Sequence, residues 1–191
     1  MNTPAHLIFG LAAFSKRGKG AVTAAALMGS LLPDLSLYLL AGSAIFVLGI
    51  EPETVFRDLY YSPTWQTIFQ IDNSFLIWGA LLAVALWRRS AWGVALTGAA
   101  LLHLAFDFPL HHDDGRAHFW PVSDWVFESP VSYWDPNQYG GLVSVIEIAA
   151  CLALSVVLWR RFPDLWPRIG ITALMVAQAA PVVMWSLMLG A

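Results

Sequence analysis

A single cysteine, Cys151, stands in a chain of 191 residues, and only 12% of those residues are charged. One thiol excludes a disulfide framework and a Cys-based zinc site. So small a charged fraction is also too little for a soluble domain, which usually carries about 25% in order to solvate its whole surface. The formal net charge is -3, and a nucleic-acid surface needs clustered Lys and Arg that this chain lacks, so no nucleic acid is expected as a partner. The opening Met1-Asn2-Thr3-Pro4 has neither a basic segment nor a small-residue cleavage site, and no removable signal peptide is expected there. No internal repeat and no low-complexity tract is visible. What abounds is apolar: 58% of the residues are hydrophobic.

That material is gathered into runs. A bilayer core takes roughly 20 apolar helical residues, and the runs 73–87, 90–110, 141–159 and 169–190 approach or exceed that length. The run 21–50 is longer but is interrupted by Pro33. The run 4–14 is short, about 16 Å as a helix, with Thr3 as a candidate N-cap and Pro4 at the first helical position. The predicted fold is an all-α integral membrane protein, with residues 1–191 forming a single transmembrane domain. It is a bundle of about six helices, five long and one short at the N-terminus, the second broken at Pro33.

Basic residues orient the bundle. Eight of the ten Lys and Arg fall at three junctions, Lys16, Arg17 and Lys19, then Arg88 and Arg89, then Arg160, Arg161 and Arg168. Alternating spans put all three on one side, which the positive-inside rule assigns to the cytoplasm. Trp87, Trp92, Trp159 and Trp166 flank the arginine pairs, as an aromatic belt would. A multi-pass protein of a bacterial inner membrane is the expectation. The outer connections, 51–72 and 111–140, carry only Arg57 and Arg116 as basic residues and hold most of the acids. They are rich in aromatics, so they should fold down as a lid or lie in the interface rather than float free.

Ionisable residues inside spans are costly and normally mark a site or a water-filled cavity. Here they are His6, Asp34, His103, Asp107 and Glu147, with Gln178 as a neutral companion. Asp34 is 15 residues past Lys19, His103 is 14 past Arg89, and Glu147 is 13 before Arg160, so each lies roughly 20 Å above the cytoplasmic rim. His6 and Gln178 lie somewhat deeper. His103 and Asp107 are four apart and share a helix face, with His111 another turn on. Two side chains so spaced can grip one ion. His111-His112-Asp113-Asp114 follows at the outer mouth. Imidazole with carboxylate suits Zn, Mn or Fe, and the absence of thiolates suits a hydrolytic site better than a closed structural one. Each residue also has a plainer reading: His6 and Asp34 as helix caps, His103 with Asp107 as an internal hydrogen-bonded pair, 111–114 as a solvated cluster, Glu147 as a structural partner, and Gln178 as interhelical glue.

The order Thr3-Pro4-Ala5-His6, Leu32-Pro33-Asp34, His103-xxx-Asp107, Gly115 and Phe119-Trp120-Pro121 resembles the membrane-bound metal-dependent hydrolases of the YdjM type. That family is similar in motif layout to zinc-dependent phospholipase C. The resemblance covers residues 3 to 121. It implies a divalent metal, zinc before manganese or iron, on His6, Asp34, His103 and Asp107; His111 and His112 are further candidate ligands that would compensate for a histidine missing from the family pattern. It also implies a phosphoester or lipid-like substrate reached from the periplasmic side. Where the family carries a histidine before its third long helix, this chain has Asn73, a poor zinc ligand. The alternative is therefore a catalytically degenerate subunit that assembles with or stabilises another membrane protein complex.

Overall fold

A computed structural model describes residues 1–189, with side chains through residue 180. The fold is all-helical, with no strand among the described residues. Among the described residues, and leaving aside the single turn Pro52–Thr54, seven helices follow one another: α1 (Thr3–Phe14), α2 (Gly20–Gly42), α3 (Pro63–Asp72), α4 (Phe75–Trp87), α5 (Ala91–Asp107), α6 (Gly140–Arg161) and α7 (Leu165–Leu189). Among the described residues, three stretches are long and apolar enough to cross a membrane: Gly20–Val47, Pro63–Trp87 and Gly140–Arg161. Helices α1 and α5 are apolar but shorter. The last position of the predicted run 169–190 lies outside the described residues.

Three expectations need correction. Helix α2 is not broken at Pro33; it runs through it and continues into a π-helical turn, Ser43–Val47. A proline in a helix removes one N–H donor, here the one that would bond the Gly29 carbonyl, and pushes on the preceding turn, but the helix continues and side chains of neighbouring elements contact other carbonyls of this stretch. The Ser30 carbonyl, in that turn, contacts His103 Nδ1 at 2.8 Å. The Pro33 carbonyl accepts from Asn73 Nδ2 at 3.2 Å. Second, the segment 51–72 is not simply a loop. It contains α3, opened by the Ser62 side chain and by Pro63 in its first turn, signals that local sequence carried. Third, Thr3 is not the N-cap of α1. Asn2 holds that position without a side-chain cap bond, and the Thr3 hydroxyl donates instead to Asp34 Oδ2 at 2.9 Å.

The short α1 is the centre of the bundle and packs against α2, α5, α6 and α7. Its Ala5, Ile8 and Leu11 are buried in one cluster with Cys151, Leu158 and Ile171, so Cys151 fills space. Small residues let the backbones close in. A Cβ added at Gly29 of α2 would stand 1.9 Å from the Leu96 carbonyl oxygen of α5, and one at Gly10 of α1 would stand 1.8 Å from Ser30 Oγ.

Both ends of α1 are tied. At its C-terminus Arg161 Nη1 donates to the carbonyls of Ala12 at 2.8 Å and Ser15 at 3.1 Å. This contact puts the basic junctions after α1 and after α6 at the same end of the bundle. At its N-terminus the Glu147 carboxylate accepts from the Asn2 backbone at 3.2 Å and from Asn2 Nδ2 at 2.8 Å. Gln178 Nε2 donates to the same carboxylate at 2.5 Å. A negative charge at a helix start is where the helix dipole favours it. Glu147 and Gln178 are thus structural partners.

Candidate metal centre

The tight approach of α1, α2 and α5 carries four polar residues to one place. His6 comes from α1, Asp34 from α2, and His103 and Asp107 from successive turns of one face of α5. Asp107 is the hub. His6 Nε2 stands 2.9 Å from its Oδ1, and His103 Nε2 stands 3.0 Å from its Oδ2. His103 Nε2 is also 3.6 Å from Asp34 Oδ1. The two imidazoles are stacked, with centroids 3.5 Å apart and planes 9° from parallel. His6, His103 and Asp107 are all buried, and each offers a ligand atom within 4.8 Å of the other two. The Met1 amino group lies 2.7 Å from Asp107 Oδ1.

Short distances alone do not make hydrogen bonds. His6 Nε2 and His103 Nε2 lie within 3.0 Å of a carboxylate oxygen, yet both are buried without a hydrogen-bond partner. The ring N–H directions miss the oxygens, so we take the pairs as close approaches of ligand atoms. Ligand bonds of about 2.1 Å at angles of about 90–110° separate two ligand atoms by about 3.0–3.4 Å. The N···O distance of 3.0 Å lies at the short end of that span and 2.9 Å just below it, while 3.6 Å to Asp34 lies just above it. His103 is further oriented by its other ring nitrogen, 2.8 Å from the Ser30 carbonyl. A metal-binding histidine ordinarily donates its second N–H in this way, which fixes the tautomer and leaves Nε2 free to bind. The residues present fit a divalent ion.

Asp34 and Asp107 of the cluster line a cavity of about 540 Å³, while His6 and His103 are not among its lining residues. Its walls include Thr3, Asp34, Tyr38 and Asp107, with His111, Asp114, Arg116 and Tyr133 above. Both outer connections therefore close over the site, one through Tyr60 and the other through residues 111–134. His111 belongs to the cavity, with Nε2 3.6 Å from Asp107 Oδ2 and Nδ1 2.9 Å from Asp114 Oδ1. Burial works against the charged imidazole, but the nearby carboxylates of Asp107 and Asp114 outweigh it, and the net shift of the His111 pKa is upward. Asp114 feels burial first as well, yet His111 and Trp134 hold its carboxyl below the usual range.

His112 departs from the expected ligand set. Its Nδ1 lies 2.6 Å from the Ser129 carbonyl, and its Nε2 faces Glu128 at 4.0 Å. The chain has left the helix by this point, so His112 points across the outer loop rather than into the cluster. Asn73 does not join the cluster either; its amide donates to the Pro33 and Phe69 carbonyls at 3.2 and 3.0 Å. Sequence reasoning missed Arg116, Tyr60, Tyr38 and Tyr133. The one signal it had was that Arg116 is one of only two basic residues away from the three basic junctions. Protein-family models, curated proteins and solved structures were compared with the chain, and none matches.

Proposed function

We propose that the protein is a metal-dependent hydrolase of a bacterial inner membrane, acting from the periplasmic side on a phosphoester or lipid-like substrate. The observation that carries this reading is the pair of buried imidazole nitrogens, His6 Nε2 and His103 Nε2, which face the Asp107 carboxylate at ligand spacing without bonding to it. A divalent ion held there supplies Lewis acidity, which acidifies water and polarises the ester to be cleaved. His6, His103 and Asp107 would hold it, with Asp34 beside them. Ser30 orients His103 through its carbonyl, and Thr3 orients Asp34 through its hydroxyl.

Proton handling falls to His111 in this reading. It lines the cavity and faces the carboxylates of Asp107 and Asp114, within reach of a substrate seated over the cluster. The mouth is apolar, with Leu37, Phe56, Tyr61 and Trp134, which suits a substrate or bound lipid with a hydrocarbon part. The test is turnover of a chromogenic phosphoester and of short-chain phospholipids by the zinc-loaded protein in detergent. Activity that requires zinc and disappears in Asp107→Asn supports the proposal, and zinc-independent or absent turnover of every phosphoester tried rejects it. One observation favours the non-enzymatic alternative: the amide at Asn73 is committed to backbone carbonyls, so the position adds no ligand. Zinc uptake without turnover would speak for that alternative.

A further inference from the structure

One wall of the cavity carries a positive charge that has no salt-bridge partner among the described residues. It is that of Arg116, a residue only 9% exposed. Its guanidinium is shelved on aromatic faces, 4.7 Å from the Tyr60 ring centroid and 4.5 Å from that of Phe69. Nη1 donates to the Tyr60 hydroxyl and, at 3.3 Å, to the Asp114 carbonyl. The nearby Asp114 carboxylate is turned elsewhere, to His111 and to Trp134 Nε1 at 3.1 Å. A guanidinium has five N–H donors in a planar fork, and its other nitrogens make no hydrogen bond to the described residues.

Buried charges are ordinarily paired, because an unpaired one forfeits its hydration without return. Arg116 lines the same cavity as Asp34, Asp107 and His111, so an anion that enters that cavity can meet the nitrogens it leaves unbonded. The fork matches two oxygens of one anion. A carboxylate would spend both of its oxygens on Arg116. A tetrahedral phosphate keeps others for the His/Asp cluster below. We propose that Arg116, shelved on Tyr60 and Phe69, is an anion subsite that takes the phosphate group of the substrate, a phosphomonoester or a phosphate-bearing lipid headgroup. This inference rests on the metal-centre reading, and it adds the residue that selects phosphate.

Calorimetric titration of the zinc-loaded protein in detergent tests it, with inorganic phosphate as the first probe and dihexanoyl phosphatidic acid as the second. Zinc content is measured in parallel on every sample. Arg116→Gln should weaken both probes by about ten- to a hundredfold, the range for hydrogen bonds to a charged group, with zinc content unchanged. Arg116→Lys keeps the charge but loses the fork; it should weaken binding by about tenfold, and it carries the test if Arg116→Gln does not fold. Tighter binding of the lipid probe than of inorganic phosphate assigns the subsite to a lipid headgroup. Equal binding assigns it to a soluble phosphate. Wild-type affinity in Arg116→Lys and in any folded Arg116→Gln, or no phosphate binding by zinc-loaded wild type, overturns the subsite while leaving the metal reading intact. A wild type that takes up no zinc but binds phosphate through Arg116 overturns the metal reading and leaves the subsite standing.

Discussion

Gly29→Ala is the substitution that links packing to the site most directly. The added Cβ would stand 1.9 Å from the Leu96 carbonyl oxygen and 2.8 Å from its carbon. Both atoms belong to the backbone of α5, so no rotamer can relieve the contact. Restoring an ordinary separation of about 3.5 Å requires α2 and α5 to part by about 1.5 Å. Overpacking of this kind costs about 1–3 kcal/mol, which for a chain of this size lowers Tm by about 3–10 °C. The same displacement separates Asp34 on α2 from His103 on α5, now 3.6 Å apart, and moves the Ser30 carbonyl away from His103 Nδ1. Metal ligands tolerate shifts of only about 0.2–0.5 Å, so zinc affinity should fall together with stability. Gly79→Ala on α4 is the control, because a Cβ there meets nothing within 4 Å; alanine's helix preference should leave Tm unchanged or slightly raised. Thermal unfolding in detergent with parallel zinc titration reads both quantities. A Gly29→Ala protein with wild-type Tm and wild-type zinc affinity would refute the claim that α2 and α5 touch here to build the site.

Two further predictions concern the outer side. Burial holds the His118 pKa down from 6.5 to about 4, so the folded protein disfavours its charged form. The corresponding stability is fully present above pH 6.5 and is lost as pH falls from 6.5 toward 4. It amounts to about 3 kcal/mol at about 1.4 kcal/mol per unit. His118→Gln should flatten the decline of Tm between pH 7 and pH 4.5, and an unchanged decline contradicts the assignment. For orientation, in a Cys151→Ala background, cysteines replacing the exposed Glu53 and Asp124 should react with an impermeant reagent added outside the cell. One replacing Lys19 should react only after the inner face is opened, and the reverse pattern inverts the topology.

The candidate site was legible because membrane spans make charge conspicuous. His6, Asp34, His103 and Asp107 stand out from apolar surroundings, and the four-residue spacing of His103 and Asp107 predicts a shared face. The common depth of Asp34 and His103 could be counted from the basic junctions. Glu147 shares that depth, but depth alone does not say which way a side chain turns, and Glu147 turns to Asn2 and Gln178. Helical phase ends with α5 at Asp107, so periodicity carried no information about His112, whose direction is set by Ser129 across the loop. Pro33 predicted a break from local preference, and tertiary partners overrode it. The start of α3 was readable in Ser62 and Pro63, but the aromatic content of 51–72 drew attention to a loop. Arg116 was visible only as a charge, since its burial depends on Tyr60 and Phe69, more than 40 positions away in the chain.

The central claim is that His6, His103 and Asp107 hold a divalent ion. Elemental analysis of the wild-type protein, purified without chelator and then incubated with zinc or manganese, tests it most directly. The account predicts close to one ion per folded chain, lost in His103→Ala while the helical content stays the same. A folded wild type that remains metal-free after both incubations would contradict it.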